Sequence, residues 1–277
     1  MNIDRVKKII EDALYEDIFT GDITTDNLID EKTVKIAKIT AKEEGILCGI
    51  DIAIMTFKNL NFNLEFEKLK EDGDKILKGE DVLIIKGSAK DILKAERVAL
   101  NFLQRMSGIA TKTRKYVDVL NNDNIKLVDT RKTTPNLRIL EKYAVKIGGA
   151  KNHRFGLYDL VMIKDNHIKA SGGIKNAVEI IKNNLSHAHK IEVETTCIEE
   201  VKEAIEANVD IIMLDNMDNE MIKEATKIID KKAIIEVSGG IDLERLKSLK
   251  VLDIDIISLG TLTHSIKSLD LSLNFIK

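Results

Sequence analysis

The feature that most constrains this chain is a series of six short apolar runs after residue 125. They are IKLVDT (125–130), LVMIKD (160–165), KIEVET (190–195), DIIMLDN (210–216), AIIEVSGG (233–240) and IDIISLGT (254–261). Helix-patterned segments such as 198–207 and 220–229 fill the gaps. The run centres are roughly 20–35 residues apart, the spacing of βα units, so the segment is expected to wind into a parallel α/β barrel. In such barrels chemistry collects at the C-terminal ends of the strands. Those ends carry Asp129/Arg131/Lys132, Lys164/Asp165, Glu194, Asp215, Ser238-Gly239-Gly240 and Gly260, which should all face one rim.

The first 110 residues read differently, as a mixed α and β portion. Ile3, Val6, Ile9, Ile10, Ala13 and Leu14 share one face of a helix over 3–15. Strand-like runs at 33–41, 45–48, 62–67 and 82–85 surround a helix at 51–60. Ser88-x-x-Asp91 reads as a capping box that opens a further helix. Ser107-Gly108 is expected to interrupt that helix before a second one through Leu120. The division is therefore 1–110, then a barrel over 111–266. A length of 277 residues suits two domains, or one barrel with an extension.

Composition closes several classes. Apolar residues at 44% and charged residues at 32% describe a globular chain, not a disordered or collagenous one. A net charge of −3 argues against nucleic acid as the main partner. Cys48 and Cys197 have no metal-ligand or CxxC spacing, which fits a reducing compartment. No signal peptide and no membrane-length apolar run is seen, so a cytoplasmic location is expected.

The densest chemical signal is cationic. Residues 131–169 hold nine Lys/Arg against three acids, a local charge of +6 that leaves −9 elsewhere. The chain has eight arginines against 35 lysines, yet six arginines fall between 97 and 154. A planar fork that grips carboxylate or phosphate at two points is a physical reason to depart from lysine. Arg131, Arg154 and Arg97 are therefore candidate anion ligands. Lys142 and Lys146 read equally well as a solvated helix face. The one proline, Pro135, follows a strand end and would pin the turn that aims Arg131 and Lys132.

Two carboxylates alternate along KIEVET, so Glu192 and Glu194 point the same way. Glu194, nearer the rim, is the functional candidate, and Glu192 is expected to partner a lysine. Asp215 ends its run similarly. Ser238-Gly239-Gly240 and Gly260-Thr261 follow the last two strands, where backbone N–H groups often hold a phosphate; His264 lies close by in sequence. His187 and His189 read as surface histidines rather than a zinc site. His153, beside Arg154, is expected to donate to an anion. No GxSxG, P-loop or GxGxxG is present.

Taken in order, EDIFTGDITT, ERVALNFLQRMSGIAT, DTRKTTPNLRILEKYAVKIGGAKNHRFGLYDLVMIKDNHI, IEVET, MLDN, EVSGGI and SLGTLTHS strongly resemble the quinolinate phosphoribosyltransferases. The resemblance covers essentially the whole chain. One departure is Phe19, where that family usually has glycine. The resemblance implies an N-terminal α/β sandwich to which the C-terminal segment 267–277 returns, and an open α/β barrel of about seven strands. It implies transfer of phosphoribose from phosphoribosyl pyrophosphate (PRPP), with Mg2+, to quinolinate and loss of CO2, giving nicotinate mononucleotide for NAD synthesis. It further implies a homodimer in which Arg97 enters the partner's site, and leaves assembly into a hexamer open. By the same resemblance Arg131, His153, Arg154 and Lys164 hold the quinolinate carboxylates, and Lys132 contacts pyrophosphate. Glu194 and Asp215 hold the ribose hydroxyls and the Mg2+-bound substrate; Ser238, Gly239, Gly240, Gly260 and His264 take the 5-phosphate. Two rivals compete with this reading. One is a barrel enzyme similar to the ModD proteins of molybdenum-transport operons, the other a non-catalytic barrel that binds a sugar phosphate.

Overall fold

The computed structural model describes residues 2–276, which form two compact units. The first comprises the chain up to Lys115, Thr133–Gly149 and the chain from Thr261; the second comprises Tyr116–Lys132 and Ala150–Gly260. The strands in chain order are β1 (Val34–Ala41), β2 (Gly45–Ile46), β3 (Glu65–Lys68), β4 (Lys75–Ile76), β5 (Asp81–Ser88) and β6 (Lys126–Val128). They continue with β7 (Val161–Ile163), β8 (Ile191–Thr195), β9 (Ile211–Asp215), β10 (Ile234–Ser238), β11 (Ile256–Ser258) and β12 (Leu271–Phe275).

The first unit is built on a four-stranded antiparallel sheet, order β12-β1-β5-β3. Ala37, Ile39 and Ala41 alternate along β1 and are fully buried. They pack with Ile50, Ala53 and Phe57 of the helix Ile50–Leu60, and with Ile92, Ala95, Ala99 and Leu103 of the helix Ala89–Leu120. Both helices place apolar residues three or four apart, which makes the inward stripe. Asp72 caps the first of them by accepting from the N–H groups of Gly49 and Ile50 at 2.8 and 2.9 Å.

The helix Ala89–Leu120 runs unbroken through Ser107-Gly108, so the expected interruption is absent. The reason is close approach. A Cβ on Gly108 would lie 2.2 Å from the backbone oxygen of Lys267, and Ser107 Oγ accepts from the Cys48 N–H at 3.0 Å. Both small residues let other chain segments touch the helix. Only half of the capping box forms. Ser88 Oγ accepts weakly from Asp91 N–H at 3.3 Å, while the Asp91 carboxylate accepts from Asn61. Phe19 adopts φ 41°, the left-handed conformation that glycine tolerates better, and its ring meets Tyr15 edge-on at 5.4 Å.

The second unit is a parallel sheet, order β6-β11-β10-β9-β8-β7. Each of the six runs supplies one strand. Lys151 adds a single parallel bridge on the outer side of β6, opposite Val128, in place of a full seventh strand. No ladder joins Lys151 to β7 among the described residues, so the barrel is open along that seam. No helix among the described residues is long and apolar enough to cross a membrane.

Candidate active site

The strand ends of the second unit surround a cavity of about 550 Å³. Its wall is assembled in the order of the sheet. Cations come from the two sides of the open seam: Arg131 and Lys132 after β6, Arg154 after the Lys151 bridge, and Lys164 after β7. The carboxylates Glu194 and Asp215 come from β8 and β9. The Ser238-Gly239-Gly240 turn follows β10. The parallel register explains why these groups meet: Val193 pairs with Ile163 and Ile212, and Ser238 pairs with Asp215.

Asp129 anchors the loop that carries two of the predicted ligands. It is fully buried, and its carboxylate accepts from the His153 N–H at 2.9 Å and from Asn152 Nδ2 at 2.6 Å. Arg154 Nη1 donates to the Leu160 carbonyl at 3.0 Å. Burial, and next the like charge of Arg131, lower the proton affinity of Arg154 from its ordinary value. Two guanidinium groups that repel each other in a half-buried cavity are poised for an anion. Lys164 Nζ lies 2.5 Å from Glu194 Oε2, so an anionic ligand must compete with Glu194 for that lysine.

Asn216 ties the next two elements together. Its Nδ2 donates to Asp215 Oδ2 at 2.7 Å, and its N–H donates to the Ser238 carbonyl at 3.0 Å. Gly239 sits against it at φ 93°, where a Cβ would lie 2.2 Å from Asn216 Oδ1 and 2.8 Å from Asn216 N. Glycine is required at this position by conformation and by space alike.

His153 lines the cavity and also reaches into the barrel interior. Its Nε2 faces inward, 3.2 Å from Glu192 Oε2 and 3.3 Å from Glu236 Oε2. Its Nδ1 accepts from the Arg154 N–H at 2.7 Å. The expectation that Glu192 pairs with a lysine is therefore corrected: the alternation of β8 does turn it inward, but a histidine meets it there. Both glutamates are fully buried, and no other donor reaches their carboxylate oxygens among the described residues. Burial, and next the charge of Glu236, raise the Glu192 carboxyl, while hydrogen bonding to His153 opposes them. Burial disfavours a charged His153 ring, but Glu192 and Glu236 outweigh it and hold its proton affinity up at about 9. The three groups together thus retain an extra proton at neutral pH. Because Nδ1 accepts from Arg154, that proton lies on the side of Nε2 and the carboxylates. These are also the one group of His, Cys, Asp and Glu side chains among the described residues close enough together to hold a metal ion.

Of the predicted site residues, Arg131, Lys132, His153, Arg154, Lys164, Glu194, Asp215, Ser238, Gly239 and Gly240 line this one cavity. Gly260 ends the second unit but is not part of the lining. Arg97 and His264 belong to the first unit and are exposed. His264 Nδ1 lies 2.7 Å from Ser265 Oγ. Arginine enrichment does not mark ligands uniformly. Arg105 forms an ion pair with buried Glu141 at 2.6 Å, and Arg114 packs over Gly149. Lys142 is buried rather than on a solvated face, while Lys146 is exposed. Sequence reasoning missed Glu236, Asn216 and Ser258, which also line the cavity. Glu236 carried a readable signal: it stands two positions before Ser238, on the same strand face, as Glu192 stands before Glu194.

An open parallel barrel whose rim gathers cations, two carboxylates and a glycine turn defines a site for a small molecule with several anionic groups. Residues 22–107 match the N-terminal domain of quinolinate phosphoribosyl transferase, and residues 109–274 match its C-terminal domain. The chain is 46% identical to a probable nicotinate-nucleotide pyrophosphorylase (carboxylating) of Bacillus subtilis, over 99% of this chain and 94% of that protein. It is 44% identical to the counterpart from Methanocaldococcus jannaschii, over 99% and 98%. Among solved structures, NadC from Streptococcus pyogenes superposes with a TM-score of 0.95 at 41% identity, covering 100% of this chain and 99% of that one. The chain belongs to the quinolinate phosphoribosyltransferase family.

Proposed function

We propose that the chain transfers phosphoribose from PRPP, taken up as its Mg2+ complex, to quinolinate, with release of pyrophosphate and CO2. The product is nicotinate mononucleotide, a precursor of NAD. The observation that carries this reading is the convergence of Arg131, Lys132, Arg154 and Lys164 with Glu194 and Asp215 on one cavity. A diacid and a sugar with phosphate at both ends need many cations, and an oxocarbenium-like ribose needs nearby carboxylates.

Arg131, Arg154 and Lys164, with His153 beside them, seat the two carboxylates of quinolinate. Lys132 receives the pyrophosphate, and Glu194 and Asp215 meet the ribose hydroxyls. Ser238, Gly239 and Gly240, with Gly260 at the end of the second unit, bind the 5-phosphate. The pyridine nitrogen attacks C1 of the ribose as the C1–oxygen bond to pyrophosphate breaks. Preorganised cations stabilise the departing charge. The carboxylate adjacent to the now cationic ring nitrogen then leaves as CO2. Its bonding electrons stay on the ring carbon, which takes a proton.

The test is pyrophosphate release from Mg-PRPP with quinolinate, with nicotinate and with no pyridine in parallel. Release that depends on quinolinate supports the reading; release with nicotinate alone refutes it. The chain is assigned a homodimer in which Arg97 completes the partner's site. Mixing inactive Arg97→Ala subunits with inactive Glu194→Ala subunits is then expected to restore activity, since one mixed site is intact. Verified mixed dimers without recovery would show that Arg97 serves its own subunit.

A further inference from the structure

We infer that Glu192 and Glu236 are positioning residues for recognition of the diacid, acting through His153 on Arg154. This rests on the assignment of Arg154 to quinolinate made above. Two carboxylates with no exposure at all converge on one imidazole nitrogen, at 3.2 and 3.3 Å. Burying a pair of acids beneath a binding cavity is costly unless they are partnered, and His153 Nε2 is the group that lies close to both. With Nε2 committed inward, Nδ1 is the remaining ring nitrogen, and it accepts from the Arg154 N–H at 2.7 Å. The imidazole is thereby a strut between the barrel interior and the backbone of Arg154.

The strut has a second support. Asp129 accepts from the His153 N–H at 2.9 Å, so a buried acid holds the peptide before His153, while the His153 ring itself holds the Arg154 N–H after it. Three strands contribute: β6 leads into Asp129, β8 carries Glu192 and β10 carries Glu236. What they fix is the base of the Arg154 side chain, whose Nη1 reaches the Leu160 carbonyl at 3.0 Å. A guanidinium fork selects a carboxylate by direction as well as charge, so a strut that sets its direction sets affinity for the diacid. In this role His153 serves the site by holding Arg154, since both its ring nitrogens are engaged with protein groups.

The experiment is steady-state kinetics of Glu192→Gln and Glu236→Gln, which keep shape and remove charge, with melting temperature measured alongside. The KM for quinolinate is expected to rise about tenfold, the equivalent of about 1.4 kcal/mol, with the KM for PRPP within twofold of wild type. In a His153→Asn background the same substitutions should add nothing, because the strut is already gone. An unchanged quinolinate KM, an equal rise in both KM values, or full additivity with His153→Asn overturns the inference. So does a stoichiometric divalent metal in the purified wild type that Glu192→Gln loses, which would make the carboxylates ligands instead. A wild type without quinolinate-dependent pyrophosphate release overturns the functional assignment itself, and is distinguishable because it appears before any variant is made.

Discussion

Replacing Gly239 by alanine tests the phosphate turn. At φ 93° an alanine sits in the left-handed region, at a cost of about 1–2 kcal/mol. The added Cβ would lie 2.2 Å from Asn216 Oδ1 and 2.5 Å from its Cγ, contacts that the side chain can relieve by rotating. The third contact, 2.8 Å to the Asn216 backbone nitrogen, cannot be relieved without moving the main chain. Overpacking of this kind costs about 1–3 kcal/mol. Rotation of Asn216 also breaks its 2.7 Å bond to Asp215, so the damage reaches a second strand end on the cavity wall. If only about 1.4 kcal/mol falls on the turn as it binds phosphate, the KM for PRPP rises tenfold. Initial rates with quinolinate saturating and PRPP varied would read this. Adding Asn216→Ala removes the side-chain clashes and leaves the backbone one, so the double variant should recover part of the thermal stability and little of the PRPP affinity. A Gly239→Ala enzyme with wild-type KM for PRPP would refute the phosphate role given to the turn.

Arg131→Lys keeps the charge and loses the fork. It should weaken quinolinate by about 1.5–3 kcal/mol, roughly 10- to 150-fold, and rates at low quinolinate that match wild type would rule out the role. The buried His153 cluster predicts a pH dependence of stability. The group of His153, Glu192 and Glu236 holds its extra proton more tightly when folded, with His153 held up at about 9 against an ordinary 6.5, so the stability this proton contributes is complete below pH 6.5 and is lost as the pH rises through about 9. The raised Glu192 carboxyl acts in the same direction. Melting temperature should therefore fall from pH 6.5 to 9.5, and fall less in Glu192→Gln; parallel curves for the two proteins would count against a shared proton.

The barrel was legible because each of its strands is a compact apolar run with a polar terminus, and parallel strands buried on both faces have that composition. The cations at those termini were legible for the same reason: Arg131 and Lys164 follow strand ends directly. The fate of Ser107-Gly108 was not. A glycine that lets another backbone approach and a glycine that breaks a helix look alike until the approaching segment, here Lys267, is known. The His153 cluster was hidden differently. Glu192 and Glu236 lie far from His153 in sequence, and only the sheet order and the inward alternation of β8 and β10 bring the three together. Arg105 was ambiguous by nature, because a guanidinium serves a buried glutamate as well as it serves a ligand.

The pairing of β6 with β11 has a consequence for how the molecule comes into being. Ile256 is hydrogen-bonded opposite Lys126, about 130 residues earlier, whereas β7 through β11 each pair with the strand next to them in sequence. During synthesis β6 leaves the ribosome first among the six and must wait for the last before it gains that neighbour. Pairings across such separations are slow to form. Arg131 and Lys132 follow β6 within four residues, so a nascent chain acquires its Ser238-Gly239-Gly240 turn and the carboxylates of β8 and β9 before the cations after β6 are locked beside them.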